Sequence, residues 1–297
     1  MSVLDLPVRP RVREDVRNPG PDAGPDLDLD LEFAAAGGRV RLLGRRCRWP
    51  FVVGRLFVDP VAGESAAGGP ARGPRAGCLV VQQAGGGTHP GDVRRQRVVV
   101  GEGVRPRVLG QGAVLVHGVA GRGPAAESTT LRVRRGGGLL HRPGVRILLP
   151  RARLEQDVTV LLEPGATAVT VDATVLHPSC LDRGAPAPVL GSLLEVATAP
   201  DAEPVVVERT HLDGVPASLH RWPAFSVVHV LAPGRATGWA EGFPHPGDVS
   251  TGAPAVAAVS GLPGGAGVAV RICARDGSAL RGAVDAAVAW AEEVLLP

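Results

Sequence analysis

The sequence predicts a mainly β protein, a β-helical or layered-strand scaffold carrying one or two helices, one of them at the C-terminus. Three observations lead there. First, hydrophobic residues make up 44% of the chain but aromatics only 3%, with no Tyr, so the core is built from Val, Leu and Ala. Val is β-branched and fits a pleated surface. Second, one local design recurs, an alternating apolar strand, a glycine turn and a second strand, with turn glycines Gly103, Gly137 and Gly165 about thirty residues apart. Third, the hydrophobic period changes near the end of the chain from that of a strand to that of a helix.

In chain order, residues 1–36 form a leader that mixes Pro, Gly and Arg with the acidic run Pro25-Asp26-Leu27-Asp28-Leu29-Asp30. It reads either as a disordered tail or as one alternating strand. Residues 37–297 read as a single β-rich domain. Strands are expected at 39–43, 51–58 and 78–82, the last two separated by a Gly/Ala/Pro-rich surface loop over 62–77. The repeated unit then occupies 97–109, 131–141 and 158–175, where glycine supplies the positive φ of a tight reversal. Strands follow at 188–198, 204–210 and 225–231, and a Gly/Pro-rich loop at 233–251. A short helix is expected around 254–259, a strand at 268–272 and a helix over 279–296, capped by Asp276-Gly277-Ser278.

Composition excludes several chemistries. All 32 basic residues are Arg. Without Lys there is neither a P-loop lysine nor a Schiff-base amine. No HExxH, GxSxG or Walker pattern occurs, so the chain is expected not to be an enzyme. Residues 1–153 carry 25 Arg against 13 acids, and residues 154–297 carry 7 Arg against 16 acids, giving halves near +12 and −9. Scattered Arg and scarce aromatics argue against nucleic acid. Attraction between the halves, or to a charged partner, accounts better for the asymmetry. Cys47, Cys78, Cys180 and Cys273 are isolated and read as reduced thiols. Neither an apolar leader run nor a membrane-spanning stretch is present, so the expected compartment is the cytoplasm, with no membrane partner.

His-Pro-Gly-Asp occurs twice, at residues 89–92 and 245–248. Pro then Gly at the central positions specifies a type II turn. Two ordinary turns explain the repeat. The functional alternative is a soft nickel or zinc contact from His89 and His245, were they to meet. Acids at Glu155, Asp157 and Asp172 leave open an enzyme acting on carbohydrate from a β-solenoid, which needs two carboxylates converging in a groove.

A strand running into a glycine-rich loop over residues 78–92, followed by the strand segments at 142–147, 152–160 and 164–172, resembles the UreD/UreH family of urease accessory proteins. The family's strand and glycine-rich loop are matched by Cys78-Leu79-Val80-Val81-Gln82-Gln83-Ala84-Gly85-Gly86-Gly87-Thr88-His89-Pro90-Gly91-Asp92, with Gly86, Gly87, Gly91 and Asp92 on the family's positions. Arg142-Pro143-Gly144-Val145-Arg146-Ile147 resembles its Pro-containing turn, and Ala152-Arg153-Leu154-Glu155-Gln156-Asp157 its entry into a strand. Pro164-Gly165-Ala166 and Asp172 continue the match, and the terminal strand and helix are similar. Gly110, Leu115-Val116-His117 and His177-Pro178-Ser179-Cys180 depart from the family pattern, marking a divergent member. The resemblance implies a β-helical fold with two helices. It also implies a non-catalytic scaffold that joins UreF-like and UreG-like partners on apo-urease to assist nickel insertion. No bound cofactor is implied, nickel being at most in transit. Gly86, Gly87, Gly91, Asp92, Arg153, Gln156 and Asp172 are the candidate partner or tunnel residues. An interaction module unrelated to nickel is the bland alternative.

Overall fold

The computed structural model describes residues 26–36, 39–58, 76–199, 202–235, 238–243 and 252–295. Strands dominate. They are β1 (Leu29–Ala36), β2 (Arg39–Cys47), β3 (Phe51–Val58), β4 (Gly77–Gln83), β5 (Val93–Val100), β6 (Pro106–Gln111), β7 (Ala113–Val116), β8 (Ala125–Val133), β9 (Gly138–Arg142), β10 (Val145–Leu148), β11 (Arg153–Leu162) and β12 (Thr167–Leu176). After these come β13 (Val189–Ala197), β14 (Val206–Asp213), the short helix α1 (Ala217–Arg221), β15 (Ala224–Leu231), β16 (Ala255–Gly261), β17 (Gly267–Ala274) and the long helix α2 (Gly277–Leu295).

From β4 to β13 the chain passes back and forth between two sheets, and this makes the body a solenoid. One sheet has the order β14-β13-β11-β8-β5-β1-β2, and the other β16-β17-β15-β12-β9-β6-β4-β3. β13-β11-β8-β5-β1 pair in parallel in the first, as do β12-β9-β6-β4 in the second. Each coil is one strand from each sheet. β7, β10 and the end of β12 stack in parallel as a short third side. Antiparallel strands close both ends of the stack.

The repeated glycine turns lie on one edge of the stack. Gly103, Gly136 and Gly165 have φ of 63°, 62° and 73°, a region that side-chain-bearing residues avoid. The Gly103 N–H donates to the Arg135 carbonyl at 3.1 Å and the Gly136 N–H to the Pro164 carbonyl at 3.2 Å, so each turn is bonded to the next. The left-handed residue of the second turn is therefore Gly136, and Gly137 beside it corrects the sequence assignment.

Inward-facing residues form rows at fixed register. Phe33, Val100, Val133 and Leu162 make the row nearest the glycine turns, with Leu31, Val98, Leu131, Val160 and Val196 next to it. All nine are buried in one apolar cluster. A separate apolar cluster at the opposite edge holds Val116, Leu148, Leu154, Leu176 and Leu190. α2 covers the outer face of the second sheet through Leu280, Val284, Val288 and Leu295. Asp276 caps it by accepting from the Ser278 and Ala279 N–H groups at 2.9 and 2.8 Å.

Two expectations change. Residues 254–259 are not helical. Ala255–Gly261 is strand β16, paired antiparallel with β17; Ala-rich helix propensity yields to an available sheet edge. Of the two readings left open for the leader, Leu29–Ala36 adopts the alternating strand, with Leu29, Leu31 and Phe33 buried. Residues 1–25 lie outside the described residues, as do residues 59–75, most of the loop expected at 62–77.

Candidate functional site

Between the two apolar clusters the same strands turn polar inside. One register row runs Arg94 on β5, Glu127 on β8, Gln156 on β11 and Ser192 on β13. Period-2 alternation explains why all four point inward. Each of the first three stands nine residues before its coil's left-handed turn glycine: Arg94 before Gly103, Glu127 before Gly136, Gln156 before Gly165. The second sheet answers with Thr170, Asp172 and Thr174 on β12, between buried Ala168 and Leu176.

The polar side chains connect in an alternating series of charge. Asp92 Oδ2 accepts from Arg94 at 3.1 Å. Arg94 donates to Thr88 Oγ1 at 2.6 Å and lies 3.7 Å from Glu127. Glu127 Oε2 accepts from Arg146 Nη2 at 2.6 Å, and Arg146 Nη1 lies 3.9 Å from Asp172 Oδ1. Gln156 Nε2 and Ser192 Oγ donate to Asp172 Oδ2 at 2.6 and 3.0 Å. Burial alone would push the Glu127 carboxyl up, but Arg146 and then Arg94 hold it below the ordinary carboxylate range. Glu127 is therefore an anion clamped by two guanidiniums inside the protein.

A cavity of about 50 Å³ opens beside this series, lined among others by Gln96, His141, Arg146, Gln156, Asp172 and His229. A second, also of about 50 Å³, shares Gln96, His141 and Pro143 with it and reaches Gln82 and Gln111. In the first cavity's lining Gln156 Oε1 is buried without a hydrogen-bond partner, Asp172 Oδ1 has only the 3.9 Å contact with Arg146, and His229 Nε2 has only the 3.4 Å contact with Glu208. Such groups are costly to bury unsatisfied and mark a place where a polar guest gains. His141 is pushed down to about 4, by burial first and Arg146 second, so it is a neutral imidazole at physiological pH. His229 lies 3.4 Å from Glu208 on β14 and, with Arg271, keeps that carboxyl below its usual range.

The predicted loop residues sit at one end of the charge series. Residues 89–92 form the expected turn: the Asp92 N–H donates to the His89 carbonyl at 3.0 Å, and Asp92 Oδ2 accepts from the His89 N–H at 2.9 Å. Gly91 has φ 86° and Gly86 φ 71°. Gly87 has φ 133°, a Cβ there would collide with the Leu115 carbonyl, and its own carbonyl accepts from Arg94 at 2.8 Å. Gly87, Asp92, Gln156 and Asp172 are thus joined through three residues that sequence reasoning missed, Arg94, Glu127 and Arg146. Arg153 is not brought in: it is exposed on β11, facing away from the core. His89 stacks on His117, ring centroids 4.5 Å apart and planes within 4°. His245 lies outside the described residues. Among the described residues no three His, Cys, Asp or Glu side chains gather closely enough to hold a metal ion.

The carbohydrate-enzyme alternative loses its geometry. Glu155 and Asp157 are exposed on the outer face of β11, whereas Asp172 bonds Gln156 on the inner side. Burial, then Glu155 and Glu195, push the Asp157 carboxyl up, which is surface repulsion among neighbours. These carboxylates do not converge. Among the described residues, no helix is long and apolar enough to cross a membrane.

Fold and site together describe a stiff solenoid with a polar seam through its core, a class suited to holding and positioning other molecules. The family model described as UreD urease accessory protein matches residues 26–296. The chain is 41% identical over 254 residues to a urease accessory protein UreD of Mycolicibacterium smegmatis, covering 85% of each chain. It is 32% identical over 283 residues to a urease accessory protein UreD 2 of Bradyrhizobium sp. (strain ORS 278), covering 92% of each. With a Haloarcula marismortui UreD it shares 32% over 256 residues, 84% of this chain and 80% of the relative. This chain belongs to the UreD family of urease accessory proteins.

Proposed function

We propose that this chain is a non-catalytic scaffold of urease maturation in the cytoplasm, which assembles with UreF-like and UreG-like proteins on apo-urease and assists nickel insertion. Membership of the UreD family supports the urease role. The observation that carries the nickel part is the cavity lined by Gln156, Asp172 and His229, where Gln156 Oε1, Asp172 Oδ1 and His229 Nε2 are buried and accept or donate no hydrogen bond. An amide oxygen, a carboxylate oxygen and an imidazole nitrogen are all ligand types that a divalent nickel ion accepts. Spread along the seam rather than closed around a point, they favour passage over residence. Arg94 places positive charge at the loop end of the series, so the cation's route runs through the Gln82–His141–Asp172 side, where the guanidinium of Arg146 is countered by Glu127.

The test replaces the seam's acceptors while keeping the fold. Urease matured with an Asp172→Asn/Gln156→Leu variant is expected to hold less than about a tenth of its normal nickel, read by elemental analysis, while the variant still co-elutes with the UreF-like partner. Normal nickel content would end the nickel route. Loss of co-elution by the wild-type chain would end the scaffold reading.

A further inference from the structure

The end of the solenoid formed by β2 and β3 carries a surface that the seam does not use. Residues 39–57 contain six arginines, Arg39, Arg41, Arg45, Arg46, Arg48 and Arg55, all exposed, and no Asp or Glu. Among the described residues, four of the nine exposed large apolar side chains lie in the same stretch: Leu43 at 63%, Trp49 at 74%, Val52 at 43% and Phe57 at 60%. β2 ends one sheet and β3 the other, so among the described residues each keeps one unpaired edge at this end. Charged side chains on an edge strand often guard against strand addition. A guard has no use for exposed Trp, Phe, Leu and Val beside the charges, which are what an interface core requires.

The inner edge of β2 already meets one acid across the strand pair. On its inner edge β2 pairs with β1, whose sequence alternates acid and apolar residue: Asp28-Leu29-Asp30-Leu31-Glu32-Phe33. Asp30 stands opposite Arg46 in that register, while Arg39, Arg41 and Arg45 stand opposite Ala36, Ala34 and Leu31; the ion pair of Asp30 is with Arg97 of β5, at 2.8 Å. Opposite charges directly across a strand pair stabilise it.

We infer that the β2–β3 end docks an acidic, extended segment of a partner protein, with acid and apolar residues alternating, which adds as a strand along the outer edge of β2. Its acids meet the exposed arginines and its apolar residues meet the surface around Leu43 and Trp49. This surface is independent of the nickel route, and its failure would leave that route standing.

A labelled peptide Glu-Val-Glu-Val-Asp-Ile-Glu, titrated against the full chain by fluorescence anisotropy, tests it. Binding is expected to weaken by at least about tenfold in Arg39→Glu/Arg41→Glu/Arg46→Glu, and also in the milder Leu43→Ser. It is expected to be unchanged in Arg122→Glu/Arg134→Glu/Arg183→Glu, which makes the same change of charge on exposed positions elsewhere. Thermal melts of each variant keep a folding defect from being read as lost binding. A peptide methylated on alternate backbone nitrogens should fail to bind. Equal binding by the methylated peptide, no binding by the unmodified one, or tighter binding of a single-stranded oligonucleotide to the same arginines would each overturn the proposal.

Discussion

Each coil of the solenoid has a dry half and a wet half built on the same strands. Near the glycine turns, the inward rows Val98–Leu131–Val160 and Val100–Val133–Leu162 are apolar and close-packed. Four to six residues earlier on the same strands, Arg94, Glu127 and Gln156 face inward instead. Backbone pairing and turn chemistry are shared, so the difference lies in side chains alone. The dry half explains why the molecule folds. The wet half adds desolvation cost, and replacing a buried ion pair by well-packed apolar residues is often neutral or stabilising. That the seam is present implies a use other than stability.

Mutations that separate the halves sharpen this contrast. The largest effect is expected from Glu127→Ala, which strands Arg94 and Arg146 in the interior and should cost about 4 kcal/mol in chemical denaturation. Arg94→Met/Glu127→Leu/Arg146→Met should recover most of that stability while leaving urease nickel-poor. If the triple variant stays as unstable as Glu127→Ala, the seam is a structural element after all. Leu131→Ala in the dry half should cost about 3 kcal/mol through the cavity it leaves, with nickel delivery retained in whatever protein remains folded.

A smaller effect comes from His141. Its folded pKa of about 4 lies below the ordinary imidazole value of about 6.5. The unfolded chain therefore takes up the proton first as pH falls, and stability declines from about pH 6.5 downward, by up to roughly 3 kcal/mol near pH 4. Glu127 adds to the loss only at the acid end, because its lowered carboxyl starts to matter below the ordinary carboxylate pKa. His141→Gln should flatten the stability profile between about pH 6.5 and 4.5; an unchanged slope there would place the titration elsewhere. The smallest effect is expected outside both halves. Asp285→Asn, which breaks the exposed pair with Arg142, should cost less than about 1 kcal/mol.

Much of the fold could be read from the residues. Phe51–Val58 is a strand over the expected range, α2 matches its predicted span within two residues at either end, and the thirty-residue recurrence is the coil itself. Local pattern sufficed there because period and turn chemistry agree. It failed at 254–259, where β17 offers an edge that no local signal announces. The site was half legible. The glycine loop, Gln156 and Asp172 stood out, whereas Arg94, Glu127 and Arg146 looked like ordinary surface charges in alternating strands. The signal that finds them is the constant offset from the turn glycine. Taking Gly137 for Gly136 hid it, because the second coil then breaks the spacing. Arg153 lies one residue out of phase with Leu154 and Gln156, so its side chain goes to the outer face and not to the seam.

The constant spacing between seam and turn has a consequence for how such a chain can change length. Inserting or deleting one residue between Glu127 and Gly136 reverses which face every intervening side chain takes, expelling the carboxylate and burying Ser128 or Thr130 in its stead. Tolerated length variation is thereby confined to even steps within the coils, or to the connections beyond the third side, such as residues 117–124 and 177–188. Descendants of this scaffold can lengthen their loops freely while the distance from seam to corner stays frozen.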